Sequence, residues 1–207
     1  MDLETFEFIK NNCDMHSSWA VWEPELDTPK SNMGNLSIFD VSINPNLLNQ
    51  LNPNIILVGL NPSHEVPKTD QKLFGNFHNG GPHSQDYKIR YGLKDTFLWG
   101  AYMTDIIKDF PELVSGNVLK YLKKNPEILE HNIKLFEEEI KFLGCEDPII
   151  IAFGSICYKF LLENLSSDFN IFKITHYAHF INPDKYRKEI KEFIDSLMKT
   201  DLKKHLI

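Results

Sequence analysis

The sequence predicts a single α/β domain over residues 1–207, folded as a three-layer sandwich with a central, mainly parallel four-stranded sheet. Apolar runs of strand length end in polar turns, apolar residues between these runs recur at helical spacing, and the two patterns alternate along the chain. Such alternation favours a parallel sheet with right-handed crossovers and helices on both faces. A chain of 207 residues with 42% hydrophobic content can bury such a core as one domain.

The first half of the chain predicts one helix and two short extended segments. Residues 3–12 have apolar side chains at the spacing of a short amphipathic helix. The apolar run 36–43 is predicted to be a short strand or an edge hairpin. Residues 55–58 are uniformly apolar and stop at the turn 59–63, which predicts a buried parallel strand. The long connection over 66–95 that follows is of a length that is usually functional or mobile.

The second half of the chain alternates strands and helices more regularly. Proline suits the first turn of a helix, so the closing helix is predicted to begin at Pro183, and Ser155 is predicted to be the N-cap of an earlier helix. The predicted strands cover 97–107, 148–153 and 169–175, and the remaining helices cover 111–125, 126–143 and the stretch from Gly154 to Leu165.

Composition predicts a cytoplasmic protein without membrane association, and we expect a monomer, although the sequence does not determine the oligomeric state. The three cysteines, Cys13, Cys145 and Cys157, lack the spacing of a disulfide framework or a metal cluster, which indicates a reducing compartment. The N-terminus is acidic where a signal peptide would be basic, and no apolar run approaches the roughly 18 residues of a membrane span. The net charge of −7 argues against non-specific attraction to phosphate backbones.

Polar side chains follow three of the predicted strands at the point where each strand ends. Asn61 follows the first strand, Thr104 and Asp105 end the second, and His176 follows the last. Because the carboxyl ends of parallel strands meet at one edge of a sheet, these side chains are expected to gather there. Pro62 favours an extended conformation for Asn61, which keeps its amide at the tip of the strand. The sequence therefore predicts a site made of an amide, a carboxylate and an imidazole.

These segments resemble, in the same order, motifs of the uracil-DNA glycosylase superfamily. The resemblance covers roughly residues 50–195 and includes a strand-Gly-helix element at 149–155 and a Thr175-His176 pair placed like the start of the family's His-Pro-Ser motif. The segment 102–108 is similar to the Thr-Asn-x-x-Lys segment of the thermostable branch. The family's first motif, Gly-hydrophobic-Asn-Pro-Gly in two branches, is matched by Gly59-Leu60-Asn61-Pro62-Ser63.

The resemblance implies a hydrolase that cleaves the N-glycosidic bond of a deaminated or modified base in base-excision DNA repair. Asn61 would hold the attacking water through its side-chain carbonyl, and His176 would donate a hydrogen bond to the departing base, on which negative charge develops. Phe77 would stack on the base, with the 59–63 loop, Thr104 and Asp105 as further contacts. The implied partner is single- or double-stranded DNA with a flipped base, and no cofactor or metal is implied.

Two departures from the family's motifs leave the substrate open. Asp105 stands where the family usually has a base-reading Asn, and an ionised Asp can only accept hydrogen bonds. An acceptor suits an exocyclic amine or a ring N–H, as in adenine, cytosine or a deaminated purine, unless burial protonates Asp105. After His176 the chain has Tyr177-Ala178-His179-Phe180 in place of Pro-Ser-Pro, so His179 is an alternative working imidazole.

Two other functions fit the same residues. The acidic composition and the missing Pro-Ser-Pro loop favour a hydrolase of free nucleosides or nucleotides. A non-catalytic member that binds a base or DNA would need the same pocket. A basic stripe across the site would favour DNA, whereas a closed pocket with an acidic rim would favour a small molecule.

Overall fold

A mostly parallel sheet lies at the centre of the computed structural model, which describes residues 1–13, 15–63 and 72–200. In the described chain the sheet has five strands in the order β1-β3-β2-β4-β5. Strands β2 to β5 are parallel, and β1 pairs antiparallel with β3. The strands are β1 Ser17–Trp19, β2 Asn52–Gly59, β3 Ala101–Asp105, β4 Ile149–Phe153 and β5 Asn170–Ile174.

The predicted count of four strands is wrong because the sequence pattern does not reveal β1. This strand has only three residues, all buried, and two of them are serines, so it shows neither alternation nor an apolar run. Its place is fixed by long-range contacts instead. Ser18 Oγ donates to the Phe74 carbonyl at 2.8 Å, and the Trp19 ring packs edge-on against Tyr102 with centroids 5.0 Å apart.

Helices cover both faces of the sheet. Two local predictions are wrong. The run 36–43, predicted as a strand or hairpin, contains a 3₁₀ helix, Leu36–Phe39, whose Asn35 cap accepts from the Ser37 N–H. The helix that begins at Gly154 has Phe153 rather than Ser155 at its N-cap. The helices are α1 Leu3–Asn12, α2 Leu47–Gln50, α3 Tyr87–Leu93, α4 Ser115–Lys124, α5 Pro126–Phe142, α6 Gly154–Asn164 and α7 Pro183–Leu197. The long connection predicted over 66–95 contains α3, and its residues 66–71 lie outside the described ranges. No helix in the described ranges is long and apolar enough to span a membrane.

In the described ranges two hydrophobic cores share the sheet, one on each face. One core joins β2 side chains such as Ile56 and Val58 to α1, α4, α5 and α6. The other joins Ile55 and Leu57 to α3 and α7. Since successive side chains of a strand point to opposite faces, Thr104 belongs to the first face and Asp105 to the second. This alternation decides which strand-end residues can meet in one site.

Arg90 of α3 fixes the segment that follows β1. Its guanidinium is 1% exposed and donates to the backbone carbonyls of Glu23, Pro29 and Ser31. The carboxylate of Glu25 lies 3.7 Å from Nε. The segment is therefore tied to the helix through main-chain atoms.

Candidate functional site

The carboxyl ends of β2 to β5 form the edge at which the predicted site residues lie. Asp105 ends β3, Asn61 follows β2, Gly154 follows β4 and His176 follows β5. Asn61 and His176 follow strands two places apart in the sheet, and the ends of strands so placed lie about 10 Å apart at a spacing of about 4.8 Å.

The Asp105 carboxyl lies directly over Gly59. The two residues are register partners on neighbouring strands. A Cβ atom at Gly59 would lie 2.1 Å from Asp105 Oδ1 and 3.4 Å from Phe77 Cζ. Glycine is therefore required here by close approach, and Asp105 Oδ1 and the Phe77 ring edge flank the same point above the strand.

Asn76, which was not among the predicted site residues, links Asp105 to Phe77 through hydrogen bonds. Its Nδ2 donates to Asp105 Oδ2 at 3.0 Å and to the His16 carbonyl at 3.0 Å, while its Oδ1 accepts from the Phe77 N–H at 3.1 Å. Phe77 has φ of +62°, a left-handed conformation that is uncommon for an aromatic residue. The only signal in the sequence is that an Asn precedes the predicted stacking Phe, and it says nothing of a contact 29 residues away.

Burial changes the charge of Asp105 near neutral pH. The side chain is 3% exposed, and this desolvation raises the pKa of Asp105 to about 7 against the lowering effect of the Asn76 hydrogen bond and the charge of Lys108. A carboxyl with this pKa exists as both acid and carboxylate at pH 7. It can therefore donate as well as accept hydrogen bonds.

Aromatic rings line the same edge from Phe77 to His176. The Phe77 centroid lies 6.0 Å from that of Phe153 and 6.3 Å from that of Tyr177. Tyr177 is edge-on to Phe153 at 5.1 Å and stacks on His176 at 4.6 Å. Burial, followed by the charges of Asp86 and Asp105, raises the pKa of the Tyr177 phenol well above its usual value. These rings form an apolar wall along the edge, in which Phe77 and Phe153 are almost fully buried and Tyr177 is partly exposed.

His176 is a neutral imidazole with a defined tautomer. Its Nδ1 accepts a hydrogen bond from the Ala178 N–H at 3.1 Å, so the ring proton lies on Nε2. Burial, with a contribution from the neighbouring His179, lowers the pKa of His176 to about 4. Gly154, at φ of +86°, brings the β4 turn within 3.1 Å of the His176 Cβ, measured from an ideal Cβ on the glycine. His176 is thus a hydrogen-bond donor at neutral pH.

The Asn61 amide anchors the loop after β3. Its Nδ2 lies within hydrogen-bond distance of the carbonyls of Pro62, Phe110 and Glu112, at 2.8, 3.1 and 2.8 Å. This surrounding of carbonyl oxygens fixes the orientation of the amide. In the described part of the chain no donor reaches Oδ1.

Two of the other predicted residues, Thr104 and Leu60, lie on the opposite face of the sheet from Asp105. The Thr104 hydroxyl lies on the opposite face of the sheet, 2.9 Å from Lys108 Nζ and 3.2 Å from Glu139 Oε2. Leu60 is buried in the core of that face, and the carbonyl of Pro62 accepts from the Glu112 N–H.

Ser63 and His179 are exposed, each at one end of the edge. The His179 N–H donates to the His176 carbonyl at 2.9 Å, and the His179 carbonyl accepts from Lys88 Nζ at 3.2 Å. These contacts tie the turn after β5 to α3. They leave the His179 imidazole at the rim.

A cavity of about 530 Å³ adjoins the outer side of His176, between β5, the start of α6 and α7. Its charged lining consists of Lys173, Lys185 and Glu189 beside His176, and Lys173 Nζ lies 3.3 Å from Ser155 Oγ. Asn61, Phe77 and Asp105 do not line it. His176 therefore separates this polar cavity from the aromatic wall.

Comparison with known proteins adds no assignment to this geometry. No protein-family model matches the chain, and no curated protein or solved structure gives a significant match. Within the described ranges, no group of three or more His, Cys, Asp or Glu side chains has the arrangement of a metal site.

Proposed function

We propose that this protein hydrolyses the N-glycosidic bond of a deaminated or modified base in DNA, as in base-excision repair. The observation that carries the proposal is the pairing, across one sheet edge, of a neutral His176 with its proton on Nε2 and an Asn61 whose carbonyl oxygen has no donor among the described residues. The ring wall of Phe77, Phe153 and Tyr177 lies on the same edge.

The proposed reaction assigns a separate role to each side chain. A flipped nucleotide places its base against the aromatic wall. Asn61 Oδ1 accepts a hydrogen bond from the water that attacks C1′, and the electrons of the C1′–N bond pass to the departing base. The Nε2–H of His176 donates to the base oxygen on which negative charge develops, and because the ring is neutral it stabilises this charge without prior protonation. Water supplies a hydroxyl to C1′ and a proton to the base.

Surface features near the site are consistent with DNA as the substrate. Phe180 is fully exposed on the turn that Lys88 holds, where a neighbouring base could stack on it. Lys173 and Lys185 line the adjoining cavity, where they could meet a phosphate.

The test is base release from oligonucleotides that carry uracil, hypoxanthine, xanthine or a mismatch. We expect release of at least one base, and a loss of about 10²-fold or more in His176→Ala, the size of effect typical of a lost acid–base or charge-stabilising group. Asn61→Ala is expected to lose a similar factor, with circular dichroism as a check on folding because the amide also anchors a loop. His131→Ala, an exposed histidine on α5, is the matched control and is expected to keep wild-type rates.

A hydrolase of free nucleosides or nucleotides is the second candidate. The formal charge of −7 and the burial of the Phe77 ring, which is 4% exposed, favour a small ligand over a long polyanion. Release of base from nucleosides, with none from oligonucleotides, would establish this candidate. Tight base binding without release from either would indicate a non-catalytic binding protein.

A further inference from the structure

We propose that Asp105 selects the base as a neutral carboxylic acid, and that Asn76 is a positioning residue that confines the acid proton to Oδ1. The inference rests on the proposed function and names its substrate class. That class is bases with a carbonyl at the position where deamination replaces an amine.

The described residues form no ion pair with the Asp105 carboxyl. In the described part of the chain, no Lys, Arg or His nitrogen lies within 4.0 Å of its oxygens. Lys108, the nearest candidate, directs its Nζ to Glu139 Oε2 at 2.7 Å, to the Thr104 hydroxyl at 2.9 Å and to the backbone carbonyl of Asp105 at 3.0 Å. A buried carboxylate without an ion-pair partner is costly, so the neutral acid is favoured.

Asn76 decides which oxygen carries the proton. Its amide orientation is fixed at both ends, because Oδ1 accepts from the Phe77 N–H and Nδ2 donates to the His16 carbonyl. The second bond of Nδ2 goes to Asp105 Oδ2, which must therefore act as an acceptor. The proton of the acid then belongs on Oδ1, the oxygen that lies over Gly59 beside the Phe77 ring.

An O–H group at this place discriminates between the two kinds of base edge. A carbonyl oxygen of uracil, hypoxanthine or xanthine can accept from Oδ1–H. The exocyclic amine of cytosine or adenine would set two donors against each other, which leaves both without a partner. A neutral acid thus restores, at Asp105, the donor that an Asn side chain would provide there.

Charged and titratable groups from several elements act on this carboxyl. Burial is the main cause of its raised pKa of about 7. The charge of Lys108 lowers this pKa, whereas the charges of Glu139 in α5 and Asp86 before α3 raise it further. The Cys157 thiol and the Tyr177 phenol also interact with Asp105. Burial raises the pKa of both groups, so both are neutral at pH 6 to 8.5. The acid form prevails below pH 7, and above it the fraction falls about tenfold for each pH unit.

The first experiment compares wild type, Asp105→Asn and Asp105→Ala at pH 6 and pH 8.5. Wild-type release of a carbonyl-bearing base is expected to fall at least tenfold between the two pH values. Asp105→Asn is expected to keep release at pH 6 and to lose this fall, because its amide is a permanent donor that still offers an oxygen to Asn76. Asp105→Ala is expected to lose the preference for carbonyl bases. Abolished release in Asp105→Asn at pH 6 would overturn the inference.

The second experiment does not depend on catalysis. Infrared difference spectra of wild type minus Asp105→Asn are expected to show a carboxylic-acid C=O band at pH 6 that is lost at pH 8.5. Asn76→Ala is expected to move that band to higher frequency, since Oδ2 loses its hydrogen bond. Absence of the band at pH 6 would overturn the inference.

Calorimetric binding of free bases at pH 6 separates the inference from the proposed function. Binding of uracil or hypoxanthine in preference to cytosine and adenine, without base release from any substrate, would remove the hydrolase and keep the assignment of Asp105. Preference for the amine bases at pH 6 would overturn that assignment.

Discussion

Gly59 is the residue that allows a carboxyl group to lie across the end of β2. Its missing Cβ is replaced by Asp105 Oδ1 and the edge of the Phe77 ring. The buried acid and the aromatic wall therefore share one contact point, and any side chain there would displace one of them.

We predict that Gly59→Ala destabilises the fold by roughly 1–3 kcal/mol, the usual cost of overpacking a core. The added methyl group would lie 2.1 Å from Asp105 Oδ1, so the carboxyl must move. Urea unfolding at pH 6 measures the change. Gly116→Ala is the control, because nothing lies within 4 Å of its would-be Cβ in α4, and a gain of about 0.5–1 kcal/mol is expected there. Equal stability of the two variants would contradict the close approach at Gly59.

Residue types at strand ends could be predicted from the sequence, but their contacts could not. The alternation of β3 sends Thr104 to the ion-pair cluster under one face and Asp105 to the site on the other, and an error of one residue would exchange them. Asn76 belongs to the site through two side-chain bonds to distant residues, a relation that no local pattern encodes. The tautomer of His176 likewise depends on a backbone N–H in a turn.

At the scale of elements, a buried ion pair joins the segment that follows β3 to α5. Lys108 Nζ lies 2.7 Å from Glu139 Oε2, and both side chains are less than a tenth exposed. Tyr102 donates its phenolic proton to Glu139 Oε1 at 2.6 Å. The pair thus satisfies polar groups on the sheet face opposite Asp105 and fixes the backbone at the end of β3.

We predict that Lys108→Met costs roughly 3–5 kcal/mol, because it leaves the Glu139 carboxylate buried and unpaired. The double variant Lys108→Met/Glu139→Met is expected to be more stable than Lys108→Met alone, since the orphaned charge is gone. Guanidinium unfolding of the full double-mutant cycle checks this. The exposed pair Lys188–Glu192, at 3.6 Å, is the control, and Lys188→Met is expected to change stability by less than about 1 kcal/mol. Additive losses in the cycle would show that the buried pair is not coupled.

Elements with a strong period could be predicted, and elements held by distant contacts could not. Helices α1, α5 and α7 carry apolar side chains at helical spacing, and the parallel strands β2 and β4 are continuous apolar runs that are buried on both faces. Strand β1 has no pattern of its own and exists because β3 offers an unpaired edge. The 36–39 turn of 3₁₀ helix is set by an Asn cap that competes with the strand-like apolar run.

At the scale of the whole molecule, one sheet forms the floor of both hydrophobic cores. Trp19 lies in the core under α1 and α5, and Trp22 lies in the core under α3 and α7. Unfolding of the sheet would therefore expose both cores to water. The prediction of one domain over residues 1–207 can therefore be tested by asking whether both cores unfold together.

We predict one cooperative unfolding transition, with coincident midpoints for far-ultraviolet circular dichroism and for tryptophan fluorescence. Single-tryptophan variants that keep either Trp19 or Trp22 report on the two cores separately, and in each variant the fluorescence midpoint is expected to coincide with the circular dichroism midpoint of that same variant. Two separated midpoints would divide the chain into two folding units.

The attachment made by Arg90 has a consequence for how this protein can vary. The guanidinium binds the carbonyl oxygens of residues 23, 29 and 31, which every amino acid carries. Side chains along that segment make none of these three bonds, so they can diverge among relatives more freely than Arg90 can while the backbone path is kept. The arginine itself is not replaceable by lysine, whose single ammonium group cannot span the three acceptors. Sequence drift in this protein should therefore spare one position in α3 and accumulate in the loop that it holds.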